Sequence, residues 1–119
     1  MFTDIHCHIL PNVDDGASSP TESLKMARTA VDDGTKSLIA TPHQLGSNAQ
    51  LTAEEIKKSL IGLEEVIQNE GLELTIRSGA DIRIDPELPK LLKQGTVLTL
   101  ADRGKHVLLE LPHETYFSL

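Results

Sequence analysis

Short apolar runs alternate along this chain with longer stretches in which apolar residues recur every three or four positions, the pattern of strands interleaved with amphipathic helices. Phe2 to Cys7 predicts a first strand, and Leu10 to Ser19, with Pro11 and Gly16, a loop. A helix is expected from Pro20, capped by Ser19 and carrying Glu22 in its first turn; Leu24, Ala27, Ala30 and Val31 form its apolar face and Gly34 ends it. Lys36 to Ala40 predicts a second strand and Thr41 to Leu51 a loop. Thr52 and Glu55, in capping-box spacing, open a helix with Ile56, Leu60, Leu63, Val66 and Ile67 on one face, ending near Asn69 to Gly71. A third strand is expected over Leu72 to Arg77, a short helix after Asp85 and Pro86 as far as Gln94, and a fourth strand over Lys105 to Leu111. The alternation implies about four parallel strands joined by right-handed crossover helices, an α/β architecture.

Length and composition narrow the class. The 119 residues suffice for one domain with a core but fall short of the roughly 250 of a full (β/α)₈ barrel. An aromatic content of 3 % with no Trp leaves little for base stacking, and a net charge of −7 argues against nucleic acid and anionic membrane as partners. That charge suits carboxylates gathered around metal. A single cysteine excludes an intrachain disulfide and fits a reducing compartment. No apolar run reaches the length of a membrane span, and Asp4, His6 and His8 interrupt the region where a signal peptide would need its basic and apolar stretches. A cytoplasmic location is expected.

The candidate chemistry starts at His6-Cys7-His8. On an extended strand these two imidazoles share a face and Cys7 takes the other, so both rings can close on one ion. Placed on the predicted strands, the other ionisable residues fall at carboxyl ends: His43 after the second, Asp81 after the third, Glu110 at the end of the fourth, with Asp14 and Asp15 in the first strand-to-helix loop. In parallel sheets and barrels those ends form the functional face. Each residue also has a plainer reading. His6 and His8 could be surface or capping residues, Asp14 and Asp15 turn residues before Gly16, His43 a loop histidine, and Asp81 a cap or a partner of Arg83. Glu110 is harder to explain away, because a carboxylate ending an apolar strand must be paired, metal-bound or at an open edge. His106 and His113 read as surface or edge residues, and Glu54 to Lys58 as a solvated helix face.

The segments His6-Cys7-His8-Ile9-Leu10-Pro11 through Asp14-Asp15-Gly16, Ala40-Thr41-Pro42-His43, Gly79-Ala80-Asp81-Ile82-Arg83 and Leu108-Leu109-Glu110-Leu111-Pro112 together resemble the polymerase and histidinol phosphatase (PHP) superfamily. Within it they are most similar to the bacterial tyrosine-protein phosphatases of capsule and exopolysaccharide operons. The resemblance implies a distorted (β/α)₇ TIM-like barrel with a site of two or three manganese ions, iron or zinc being alternatives, that hydrolyses phosphotyrosine. It places His6, His8, Asp15, His43 and Glu110 as metal ligands, with Asp15 rather than Asp14 as the matching acid. Asp81 stands where the family usually has Glu, one methylene longer, and Gln44 where relatives often carry His or Arg as a phosphate contact. The implied substrate is a phosphotyrosine protein, a tyrosine autokinase of polysaccharide export.

The residue types suit that chemistry on their own account: clustered divalent ions neutralise a phosphomonoester dianion, activate water and support the leaving oxygen. Imidazole with carboxylate serves manganese, iron or zinc. Cys7 is a poor nucleophile candidate, since a cysteine phosphatase needs an arginine six positions on and that residue is Val13. The family's chains are longer, and their later strands supply further ligands. Residues 1–119 are therefore expected to form a single partial PHP domain, the amino-terminal portion of the barrel, weakly active or inactive alone. Its first and fourth strands would leave edges open to self-association. Two alternatives stand beside the tyrosine phosphatase: a non-catalytic remnant or half-barrel binding metal or a partner, and a small-molecule phosphomonoesterase such as a histidinol phosphatase.

Overall fold

The computed structural model describes residues 2–46 and 51–111. Strands β1 (Phe2–Cys7), β2 (Thr35–Ala40) and β4 (Thr75–Ser78) form a parallel sheet in the order β1-β2-β4, and β3 (His43–Gln44), β5 (Asp81–Arg83) and β6 (Leu108–Glu110) form a second in the order β3-β5-β6. Helices α1 (Pro20–Asp32), α2 (Ala53–Asn69) and α3 (Leu88–Gln94) lie in the connections, with a 3₁₀ turn at Leu100–Asp102. The parallel α/β alternation is as expected, but one sheet of four strands is replaced by two sheets of three. His43 and Gln44, expected in a loop, form β3, and Asp81, expected after a strand, begins β5. The third expected strand starts at Thr75 rather than Leu72, and the last is confined to Leu108–Glu110. His113 and residues 47–50 lie outside the described residues.

The physical reason for the division lies at two adjacent breaks. Pro42 has no N–H to give the ladder, and beside it Gly79 passes so close to β2 that an added Cβ would meet Ile39 Cγ2 at 2.7 Å. The chains do not separate there. The Asp81 N–H donates to the Pro42 carbonyl at 2.9 Å, and His43↔Asp81 resumes the register. The second sheet is thus a short continuation of β2 and β4 beyond a kink, and it begins with the two residues whose chemistry matters most.

Caps and packing fix the helices where the sequence placed them. Ser19 and Thr52 accept hydrogen bonds from the Glu22 and Glu55 N–H groups, and Gly34 follows α1 with φ +91°. Helix α2 buries Ile56, Leu60, Leu63 and Ile67, one stripe at helical spacing, against Leu38, Ile76 and Ile82. Helix α1 buries small residues instead, Ser23 and Ala27, and the Ser23 hydroxyl donates to the Ile9 carbonyl just beyond β1. No described helix is long and apolar enough to cross a membrane.

Gln44 ties three segments together. Its side chain is fully buried; Nε2 donates to the Leu51 and Thr96 carbonyls at 3.1 Å each, and Oε1 accepts from the Leu98 N–H at 3.0 Å. The residue faces the core and not the candidate site. Gln44→Leu leaves all three backbone groups unpaired, and the expected loss of stability is about 3 kcal/mol, at roughly 1 kcal/mol per bond. Urea unfolding of the two proteins measures it; a loss below about 1 kcal/mol would show that the segments are held by other contacts.

Candidate metal centre

The end of β1 is shaped to present two imidazoles together. Register slips between Asp4 and Cys7, where three steps along β1 match two along β2. A bulge of this kind frees a ladder N–H, and here the freed His6 N–H donates to Asp4 Oδ1 at 3.0 Å. Thr41 then clamps the intervening residue: its Oγ1 accepts from the Cys7 N–H at 2.9 Å and its own N–H donates to the Cys7 carbonyl at 2.8 Å. His6 and His8 emerge on either side with their Nε2 atoms 3.2 Å apart. Two nitrogens each about 2.1 Å from a shared ion sit roughly 3.0 to 3.4 Å apart in octahedral and tetrahedral arrangements. The observed spacing fits a metal edge.

The loop after β1 supplies the acids. It folds back so that the Ala17 N–H donates to the His8 carbonyl, and Gly16 lies where any Cβ would sit 2.3 Å from that oxygen. Only glycine fits. The turn directs Asp14 inward, where its side chain is 1 % exposed, and Asp15 outward at 83 %. Asp14 Oδ2 accepts from His8 Nδ1 at 3.0 Å and from the His43 N–H at 2.9 Å, while Oδ1 accepts from the Gly16 N–H at 2.8 Å. With Nδ1–H so engaged, the lone pair of His8 is on Nε2, facing His6.

All six ligand candidates come together: His6, His8 and Asp15 at and beyond the end of β1, His43 and Asp81 at the starts of β3 and β5 just past the ends of β2 and β4, and Glu110 at the end of β6. Their donor atoms fall into three overlapping groups, each within 4.8 Å: His8, Asp14, Asp15 and His43; His6, His8 and Asp81; His43, Asp81 and Glu110. Asp81 joins the last two, its Oδ2 lying 3.5 Å from His6 Nε2, 3.6 Å from His8 Nε2 and 3.4 Å from His43 Nδ1. The shorter aspartate arm therefore still reaches every imidazole. His43 serves two groups, with Nδ1 3.2 Å from Glu110 Oε2 and Nε2 3.2 Å from Asp15 Oδ1. Asp14, placed at this face by the sequence but set aside by the resemblance in favour of Asp15, joins the first group. Its position before Gly16 signalled a turn, but nothing local marked which of the two acids would be buried.

Three groups have ionisation shifted by this geometry. The hydrogen bond that His8 donates to Asp14 raises the His8 pKa above its usual 6.5, against burial acting the other way. Burial alone would push Asp14 up, yet the bonds from His8, His43 and Gly16 outweigh it and hold the carboxyl at about 2. Burial, with Asp4 nearby, pushes the Cys7 thiol up to about 11. Cys7 packs against the core, and its thiol is neither nucleophilic nor part of the donor groups.

Parallel strands with nitrogen and oxygen donors converging at their carboxyl ends define an α/β domain with a candidate multinuclear metal centre. The chain belongs to the capsular polysaccharide synthesis family CpsB/CapC, whose model matches residues 2–119. It is 36 % identical over 111 residues to the tyrosine-protein phosphatase YwqE of Bacillus subtilis (strain 168), covering 93 % of this chain and 43 % of that protein. It is 26 % identical over 114 residues to the tyrosine-protein phosphatase CpsB of Streptococcus pneumoniae, covering 96 % and 46 %. A solved chain from the crystallography of YwqE and CpsB, described as metal-dependent tyrosine phosphatases, superposes with a TM-score of 0.88 at 36 % identity, over 93 % of this chain and 44 % of its own. The chain thus spans less than half the length of the relatives it matches.

Asp14 gives the metal-free protein a definite pH dependence. Its pKa is lower folded than unfolded, so its stabilisation is fully present above 3.8 and is lost as pH falls through about 2. The drop from 3.8 to about 2 corresponds to about 2 kcal/mol. Denaturant unfolding across this range is expected to show the natural protein losing about 2 kcal/mol more than Asp14→Asn, which cannot titrate. Parallel pH profiles would disprove the hydrogen-bonded carboxylate as their source.

Proposed function

We propose that this chain forms the amino-terminal portion of a distorted (β/α)₇ PHP barrel, and that residues 1–119 make up one partial domain of a metal-dependent phosphatase acting on phosphotyrosine in proteins. The observation that carries the reading is the convergence of His6, His8, Asp15, His43, Asp81 and Glu110 from five separate segments into overlapping donor groups. Support for the substrate class comes from the relatives, named tyrosine-protein phosphatases. A tyrosine autokinase of polysaccharide export is the proposed physiological partner.

Manganese is the proposed metal, with iron or zinc compatible with the same imidazole and carboxylate donors. His6, His8 and Asp81 would hold one ion, His43, Asp81 and Glu110 a second, and Asp15 with His43 a further one. When bound, such ions neutralise a phosphomonoester dianion, make water more acidic and support the leaving phenolate oxygen. The protein's own contribution is orientation. Asp14 fixes the His8 ring with Nε2 facing His6, Thr41 holds the backbone between the two histidines, and buried Asp81 reaches all three rings. Asp15, largely exposed, lies at the outer edge, where a substrate on another protein can approach.

The test is manganese uptake by calorimetry, together with hydrolysis of a phosphotyrosine peptide and of histidinol phosphate, for the natural chain and for His6→Ala/His8→Ala. Uptake is expected in the natural chain and weakened at least about 10- to 100-fold in the double variant. Turnover, weak in these 119 residues alone, is expected to need metal and to favour the peptide. Absence of manganese binding by the natural chain would sink the metal-centre reading, and preference for histidinol phosphate the substrate assignment.

A further inference from the structure

Arg83 is the residue of the carboxyl-terminal face that the proposed metal centre leaves unused. It lies two positions beyond Asp81 on β5, so both side chains project from the same face of the sheet, Arg83 one layer nearer the strand ends. In register it stands opposite Glu110 of β6. Among the described residues no carboxylate pairs with its guanidinium. The side chain is nonetheless half-buried, because its stem crosses Gly46, where an added Cβ would meet Arg83 Cγ at 3.1 Å and Cβ at 3.3 Å.

That crossing is built at a cost. Leu45 and Gly46 both adopt left-handed conformations, with φ of +66° and +57°, which for a bulky residue such as leucine is strained. The strained pair turns the backbone after β3 so that a residue without a side chain passes beneath the arginine. Cationic charge is otherwise scarce here, for the neighbouring groups are the carboxylates of Asp14, Asp15, Asp81 and Glu110 and three imidazoles. An arginine whose stem packs over Gly46, one residue pair beyond Asp81 on the same face, suits an anion that the metals would also attract, and its planar fork matches phosphoryl oxygens.

We propose that Arg83, held on Gly46, is a substrate-binding residue that grips the non-bridging phosphoryl oxygens of the phosphomonoester above the metal ligands. This rests on the phosphatase reading and adds a residue that the donor groups do not include. No bond is made or broken by Arg83; its contribution is affinity and orientation. Gln44, next to His43, is turned into the core, and Arg83 supplies a cation on the face that Gln44 does not reach.

The experiment measures manganese stoichiometry and then calorimetric affinity of the manganese-loaded chain for inorganic phosphate and for a phosphotyrosine peptide lacking acidic flanks. Arg83→Met keeps the stem on Gly46 and removes the charge. The expected result is unchanged manganese stoichiometry with phosphate and peptide both bound about 10- to 100-fold more weakly, and partial recovery in Arg83→Lys, which restores charge without the fork. Phosphate affinity equal to that of the natural chain would overturn the proposal. So would loss of manganese in Arg83→Met, which would make the residue a support of the ligand layer instead. Failure of the natural chain to take up manganese would overturn the underlying metal reading and this proposal with it.

Discussion

The Asp14 carboxylate is the joint through which the candidate site is assembled. It is enclosed by protein, it holds the ring of His8 from β1, and it accepts the backbone N–H of His43 from β3. These are residues far apart in sequence, and an enclosed carboxylate tolerates no loss of its partners. Placement of one therefore dictates placement of the other. The same oxygen pair closes the turn at Gly16, so the loop, the first strand and the kinked extension of the second move as one piece.

The kink has a comparable role on the scale of the sheet. Across the break the register is kept, Leu38↔Ile76 and His43↔Asp81 having the same offset, so Gln44 and Ile82 stay on the buried face with Leu38 and Ile76 while His43 and Asp81 fall on the opposite one. Pro42 and the close approach at Gly79 interrupt the ladder without shifting it, and the Pro42 carbonyl restores it at once through Asp81. Two short strands thereby bring His43 and Asp81 into register as direct neighbours. Hydrophobic burial beneath them, from Ile56, Ile82 and Leu98, makes the platform rigid, a requirement for donors that must meet within a few tenths of an ångström.

The helices and the three longer strands were legible in the sequence because each has a period and a cap: Ser19 and Thr52 open helices, Gly34 and the Asn69 to Gly71 region close them, and Ile56 to Ile67 marks a single stripe. The strand β3 was not, because two residues carry no period and the preceding Pro42 reads as a stop. Likewise Asp81 read as a residue after a strand, when it is the first residue of another. At the site, strand ends were enough to find His6, His8, Asp15, His43, Asp81 and Glu110 as candidates, since parallel topology sends all such ends one way. The burial of Asp14 depends on a loop folding back across β1, a tertiary event that adjacent identical side chains do not encode. Gln44 shows the converse: the resemblance puts it where a phosphate-contacting His or Arg is expected, whereas strand alternation sends its side chain into the core.

Cys7 stands between two imidazoles without joining them. Its thiol lies on the far face of β1 and stays protonated well above neutral pH. A thiolate in that position would turn the pair into a soft ligand set, one that captures copper(I) or zinc almost irreversibly and invites oxidation. By sequestering its sulfur, the strand offers only nitrogen and oxygen. An ion taken up there would meet nitrogen and oxygen alone, and selection among metals would fall to geometry and supply.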